Sequence, residues 1–405
     1  MKIHKLQVCH CDDRIICRFP IESDRGTTSL WYSLDKAYEG LISDNSDTAL
    51  VALLIPAMRN GEDIRVAGTI SGKLLYNFHR LQSIIQAIIP VLKTVNIHPE
   101  GVSNELTHDA SGIATGFSGG IDSFCVLADN YYMAAADGSK ITHLLFNNVG
   151  SHADAGEVLF QKRFKRLMPI AQKIGLPLIA INSNMVEFYG TGVGFQQTHT
   201  MRNASVALLL QKGIRRHLYA SAYSYGDIFV GPAEDMAVSD PVILPLLGTE
   251  NLDLISVGSE YSRVAKTLRV AEIADSYRSL DVCVSCDYTG PFTNCSKCFK
   301  CLRTLATMDI AGIQDRYSGV FDLTTYKSYR NVYFAEMLAS RDPFEKEIAY
   351  FAKQKGYTFP VSTQIMRALR VTPAVSISAR TLRWISRRLR RVCVRGRVAK
   401  QESEI

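Results

Sequence analysis

The sequence predicts an α/β protein built on a doubly wound parallel sheet, with a small α+β domain before it and a mostly helical part after it. Three observations carry this expectation. From Gly112 onward, short apolar runs of strand length alternate with longer runs of helical period. The residues before Gly112 follow a different rhythm, and the stretch from Cys283 to Cys301 holds five of the ten cysteines.

Residues 1–20 alternate apolar and polar around Asp12-Asp13 and predict a β-hairpin. TALVALLIPAMRNG predicts a helix closed by Gly61, DIRVAG a strand, and residues 74–92 a second helix. Residues 1–107 are therefore expected as an N-terminal α+β domain, and HDASG (108–112) reads as a polar linker. Strand IATGF leads into helix IDSFCVLADNYYMAA, and strand ITHLLFNNV into GEVLFQKRFKRLMPIAQKIG. LPLIAIN, MRNASVALLLQKGI and HLYASAY continue the alternation as strand, helix and strand. The doubly wound domain is expected over 112–305, with a cysteine-rich segment at 283–303. A helical extension is expected over 306–376 and a basic tail over 377–405.

Apolar content of 47% and charged content of 21% describe a soluble globular chain. No apolar run has the length of a membrane span, and MKIHKLQVCHCDD lacks the apolar core of a secretory signal, so a cytoplasmic protein is expected. The net charge of +7 lies in the tail: residues 380–405 hold nine Lys/Arg and two Glu, leaving 37 basic and 37 acidic residues elsewhere. A basic nucleic-acid-binding face on the folded body is therefore not expected. In the tail, Leu382, Ile385, Leu389 and Val392 form one helical stripe among arginines. That pattern suits an anionic membrane surface, an acidic partner or nucleic acid, and an unfolded tail is the other reading.

The segment SGGIDS (118–123) stands between strand IATGF and the following helix. In an open parallel sheet, ligands sit at the carboxyl ends of strands. Gly119 and Gly120 let backbone N–H groups approach an anion closely, while Ser118 and Ser123 add hydroxyl donors. Asp122 beside phosphates implies a cation between them, which points to Mg²⁺. The plainer reading is a tight strand-to-helix turn capped by Ser and Asp.

Cys286-x8-Cys295-x2-Cys298-x2-Cys301 offers four thiolates at spacing that closes a tetrahedron around Zn²⁺. An iron–sulfur cluster is the runner-up, and Cys283 is left over. Cys9-His10-Cys11 in a strand sends its two thiols to one face and His10 to the other, which does not make a site.

SGGIDS resembles the SGGxDS loop of the N-type ATP pyrophosphatases, the PP-loop family. Together with the cysteine spacing it is similar to the 7-cyano-7-deazaguanine synthase (QueC-like) family, over about residues 112–305. The resemblance implies the PP-loop form of the adenine nucleotide alpha-hydrolase (HUP-like) fold, ATP and Mg²⁺ as substrate and cofactor, and a structural Zn²⁺. It also implies cleavage of ATP to pyrophosphate, an acyl-adenylate formed on a carboxylate, and amide or nitrile formation with ammonia.

LLFNNVGSH places His152 where the family has a histidine, and MRNASVAL places Arg202 and Asn203 near the nucleotide. KTLRVAEI resembles a Thr-Lys-x-Glu-Ile segment, with Lys266 and Arg269 as weaker candidates. Asp122, Ser123, Arg202 and His152 are thus the expected catalytic residues. Ser118, Gly119, Gly120, Asp122, Ser123 and Asn203 are the expected nucleotide contacts.

Two departures mark a changed acceptor. Asn148-Val149-Gly150 stands for the family's Tyr-Gly-Gln, and YSYGDIFVGPAEDMAVSDPVILP replaces its acidic, Tyr-rich segment. A small-molecule or protein carboxylate other than the deazapurine is therefore the expected acceptor. Extended relatives of antiphage cassettes (QatC-type proteins) suggest partner proteins from the same gene cluster, and the family suggests a homodimer. A tRNA-modifying PP-loop enzyme and a non-catalytic ATP-sensing module are the competing readings.

Overall fold

The computed structural model describes residues 1–24, 26–106, 109–134, 137–152, 156–190, 192–284 and 290–368. Its contacts divide into two compact units, Met1–Val282 and a second unit beginning at Cys283.

The first unit is a mixed, mostly parallel sheet covered by helices. Its N-terminal strands are β1 (Lys2–Ile3), β2 (Gln7–Cys11), β3 (Arg14–Ser23), β4 (Gly26–Asp35), β5 (Ile64–Ser71) and β6 (Ile97–Ser103). The later strands are β7 (Gly112–Gly116), β8 (His143–Asn148), β9 (Leu178–Ser183), β10 (Ile214–Ala220) and β11 (Asp253–Val257). The order across the sheet is β11-β10-β7-β8-β9-β4-β3-β1-β5-β6, with β2 paired to β3.

The expected hairpin is β2–β3, closed by Asp12-Asp13, with Asp12 at φ 50°. A two-residue hairpin loop needs such a left-handed residue, and Asp tolerates it. Helix α1 (Asp47–Asn60) is buried on all sides, as its continuous apolar sequence requires, and ends on Gly61 at φ 69°. Helix α2 (Gly72–Ile88) starts on Ser71, whose hydroxyl accepts from the Leu74 amide.

The strands β7 to β11 are all parallel. Numbered among themselves, they run in the order third, second, first, fourth, fifth. The reversal between β7 and β10 is a topological switch point, the place where open parallel sheets commonly bind their ligands. Helices α3 (Ile121–Leu127), α4 (Gly156–Ile174), α5 (Val186–Tyr189), α6 (His199–Leu209), α7 (Asp240–Leu246) and α8 (Arg263–Val270) fill the crossovers and flanks. After α3 the chain continues through a π-helical turn (Ala128–Tyr132).

The N-terminal segment shares this sheet and its core. Strand β4 lies antiparallel on β9, pairing Tyr32 with Ser183 and Ser33 with Asn182. Tyr32 is fully buried and shares a hydrogen bond with Ser205 of α6 at 2.9 Å. One hydrophobic core runs from Ile3 and Phe19 through α1 to Met201, Leu208 and Leu254. The physical reason is that β9 would otherwise leave its outer backbone groups unpaired.

The second unit is helical, as expected after residue 305. Helix α9 (Phe299–Ile310) is followed by α10 (Leu323–Ala339), α11 (Pro343–Gln354) and α12 (Val361–Ala368). Asp322 and Asp342 cap α10 and α11 by accepting two backbone N–H groups each. Phe334, Tyr357 and Phe359 form an edge-to-face aromatic cluster. The tail 377–405 lies outside the described residues. Among the described residues, no helix is long and apolar enough to cross a membrane.

Asn184 stitches the seam between β9 and β4. Its Oδ1 accepts from the Trp31 amide and its Nδ2 donates to the Ser29 carbonyl, both at 2.9 Å. Asn184→Ala should lower stability by about 2 kcal/mol, the loss of two largely buried hydrogen bonds. A urea denaturation midpoint equal to wild type would show that the seam does not need this side chain.

Candidate functional site

The segment SGGIDS occupies the switch-point end of β7. Ser118 is exposed, and Gly119 adopts φ 75° in the left-handed region. A Cβ on Gly119 would stand 3.2 Å from Leu167 Cδ2 and 3.5 Å from the Ser279 carbonyl, so glycine is required there. The Gly120 amide points toward Ser118 Oγ at 3.4 Å. Ser123 is buried and donates back to the Gly120 carbonyl at 3.0 Å, so it closes the first turn rather than facing outward.

Asp122 is held by two cations from α8. Arg263 Nη1 donates to its Oδ1 at 2.9 Å and Lys266 Nζ to the same oxygen at 3.2 Å. Ser262 caps α8 by accepting from the Ala265 amide, and positions 263 and 266 then fall on one face. Lys266 is 1% exposed and also donates to the Ser221 carbonyl, while Arg263 Nη2 donates to the Ala222 carbonyl at 3.1 Å. Burial alone would raise the Asp122 carboxyl, but the Arg263 guanidinium and Lys266 ammonium outweigh it and hold it below the usual range. Three strand ends, those of β7, β10 and β11, thus converge on one carboxylate. Arg269 lies a turn further along α8 and pairs instead with Asp129 and Glu272.

The other expected residues face inward. The Arg202 guanidinium lies 3.6 Å from the Tyr189 ring centroid and 5.3 Å from that of Phe195. Its Nε donates to Thr198 Oγ1 at 2.8 Å and its Nη1 to the Val149 carbonyl at 3.0 Å. Expected to reach a phosphate or carboxylate, Arg202 is 3% exposed and braces the chain after β8. Asn203 donates to the His199 carbonyl and accepts from Asn147 Nδ2.

His152 is buried between Phe146 and Phe160, with Nδ1 3.1 Å from both Asn148 Oδ1 and Ser151 Oγ. Its Nε2 has no hydrogen-bond partner among the described residues. Burial, aided by the nearby charge of Arg163, pushes its pKa down to about 4, so it is neutral at pH 7.

A second polar cluster lies beside β10. His199 Nδ1 shares a hydrogen bond with Tyr219 Oη at 2.8 Å, and its Nε2 faces Asp235 Oδ1 at 3.1 Å. Tyr223 Oη donates to the other Asp235 oxygen at 3.4 Å. Tyr223 is itself tied to Ser221, whose carbonyl accepts from Lys266. Sequence reasoning missed this cluster and Arg263. The available signal was the basic pair at the start of a helix after the apolar strand DLISV.

In the second unit, Cys283, Cys295, Cys298 and Cys301 bring their sulfurs within 4.8 Å of one another. Cys283, set aside as the spare thiol from its spacing, is therefore part of the cluster, while Cys286 lies outside the described residues. The reason lies in the turn at 295–298. Ser296 adopts φ 58°, and its hydroxyl accepts from the Asp322 amide at 2.9 Å. This turn aims the Cys298 amide at Cys295 Sγ (3.3 Å), and the Cys295 amide points at Cys283 Sγ (3.4 Å).

Sulfur separations of 3.4, 3.9 and 4.0 Å bracket the roughly 3.8 Å edge of a tetrahedron with Zn–S bonds of about 2.3 Å. They are far too long for disulfides. The Cys298 thiol is held well below the ordinary thiol range by S–H groups of Cys283 and Cys301, and Cys283 is pushed up to about 12. The cluster could hold a metal such as zinc, which would replace the shared thiol protons.

No family model, curated protein or solved structure matches this chain.

Two measurements follow from this geometry. Cys301→Ser, at a fully buried position of the cluster, should reduce bound metal well below that of wild type when measured by elemental mass spectrometry. Equal metal content would exclude Cys301 as a ligand. His217 is 2% exposed and burial pushes its pKa down to about 4. The unfolded chain takes up a proton near pH 6.5 that the folded chain refuses until about pH 4. Stability should therefore fall as pH drops through that window, and less so in His217→Gln. Identical pH dependence of the two proteins in denaturant melts would refute this assignment.

Proposed function

We propose that the chain is an ATP-dependent adenylating enzyme of the PP-loop, QueC-like class, forming an acyl-adenylate on a carboxylate for amide or nitrile formation. The observation that carries the reading is the placement of SGGIDS at the switch point of the parallel strands, beside the Arg263–Asp122–Lys266 cluster. Neither a Walker loop nor a dinucleotide loop has this composition.

In this reading, the backbone of Ser118–Gly120 and the two cations receive the phosphates of ATP. The acceptor carboxylate oxygen attacks the α-phosphorus, the bond to the bridging oxygen breaks, and pyrophosphate leaves with the negative charge. Ammonia then attacks the acyl carbon, and AMP departs as one proton is lost from nitrogen. Lys266 and Arg263 stabilise charge on the departing pyrophosphate, and Asp122 fixes their direction; positioning and charge stabilisation carry the catalysis.

Mg²⁺ would supply further neutralisation of phosphate charge. Since Oδ1 of Asp122 is taken by both cations, this carboxylate fits Mg²⁺ only through its second oxygen, with phosphate oxygens supplying the other ligands. Zn²⁺ on the cysteine cluster is structural in this scheme, because four thiolates leave no open position.

The acceptor lies on the side of the His199–Asp235–Tyr223 cluster, which differs from the acidic segment expected of a deazapurine enzyme. A peptide or protein carboxylate suits this change, since Tyr225, Phe229 and Val230 in the same loop are exposed.

The test is product analysis with ATP, Mg²⁺ and acceptors supplied in turn: carboxy-deazaguanine, then proteins encoded by neighbouring genes. AMP and pyrophosphate are expected, with Lys266→Ala and Asp122→Ala slower by about 100-fold or more. ADP and phosphate would overturn the reading. Tight ATP binding without turnover on any acceptor would favour a nucleotide sensor.

A further inference from the structure

The segment following α8 makes contacts that neither the core nor the proposed chemistry explains. Asp281 donates its backbone N–H to the Gly119 carbonyl at 2.7 Å, and its carboxylate, 9% exposed, pairs with Arg166 of α4. Six residues earlier, Asp275 pairs with Lys173 of α4 at 2.8 Å and accepts from Tyr132 Oη at 2.7 Å. Arg166 and Lys173 are seven residues apart, two turns along one face of α4. Residues 275–281 are therefore laid along that helix by an ion pair at each end, and the far end reaches the glycine loop.

The contact with Gly119 does more than hold the loop down. A trans peptide is planar, with its C=O and N–H pointing in opposite directions. Turning the Gly119 carbonyl toward Asp281 therefore turns the Gly120 N–H the other way, toward Ser118 and the open end of the loop. Two adjacent glycines have the widest backbone freedom of any residue pair, so an unpinned loop would sample many orientations of that amide. The Cβ positions of Gly119 and Gly120 also abut Asp281, at 3.7 Å from its Cβ and 3.4 Å from its carbonyl oxygen.

We propose that residues 275–281 are a strap that preorganises the phosphate loop, with Asp281 and Arg166 as its positioning residues. The strap aims the Gly120 N–H at an incoming phosphate. Its role in nucleotide binding rests on the adenylation reading above, whereas its effect on loop order does not.

The test uses the full chain with Asp281→Ala, Arg166→Ala, and the charge swap Asp281→Arg with Arg166→Asp. Amide hydrogen exchange of a peptide covering 117–121 is compared with one covering 253–257 in β11. Each single variant should speed exchange in the first peptide and leave the second unchanged, and the swap should restore part of the protection.

ATP affinity, measured by calorimetry with Mg²⁺, should weaken roughly tenfold in each single variant, comparable with losing one charge-assisted hydrogen bond. Faster exchange in both peptides would mean general loosening and overturn the strap, as would unchanged exchange at 117–121. If wild type binds no ATP, the exchange result still decides the strap, and the missing affinity counts against the adenylation reading alone.

Discussion

The arrangement of the first unit depends on one carboxylate shared by two cations. Asp122 belongs to the segment after β7, Arg263 and Lys266 belong to the segment after β11, and both cations also bond carbonyls just beyond β10. A buried ammonium is costly unless it is paired and hydrogen-bonded, and Lys266 meets both conditions. The same pairing keeps Asp122 ionised although much of its surroundings are protein. Positive charge is therefore fixed at the switch point by the protein's own hydrogen bonds.

Much of this was legible in the sequence, for identifiable reasons. The parallel half could be read because buried parallel strands are short apolar runs separated by helices of steady period. The glycine loop could be read because two adjacent glycines between a strand and a helix have few structural purposes. The surroundings of Arg202 were not legible because residue type and helix position do not say whether a guanidinium meets an anion or stacks on aromatic rings. Here Tyr189 and Phe195, in the turn of chain just before the helix, receive it. Arg263 was missed because its partner lies 141 residues away in sequence.

The two ends of the chain show a related difficulty. Cysteine spacing identified a metal-binding segment and three of its thiols. It could not bring in Cys283, because spacing does not say which thiol comes within reach of the other three in space. The N-terminal α+β segment was legible as elements but not as part of a larger sheet. Its junction is a strand pair between residues about 150 apart, and strand order is not written in local periodicity.

That junction also determines where the sheet ends. Without β4, the outer edge of β9 would present free N–H and C=O groups one strand beyond β8, inviting another chain to pair there. The five strands β4, β3, β1, β5 and β6 move that boundary outward by roughly 24 Å, at about 4.8 Å per strand. They leave it on β6, which carries His98, Pro99 and Glu100. Proline and charge are poor templates for intermolecular pairing. The first hundred residues thus serve as a built-in edge guard, replacing an adhesive border at β9 with an inert one five strands away.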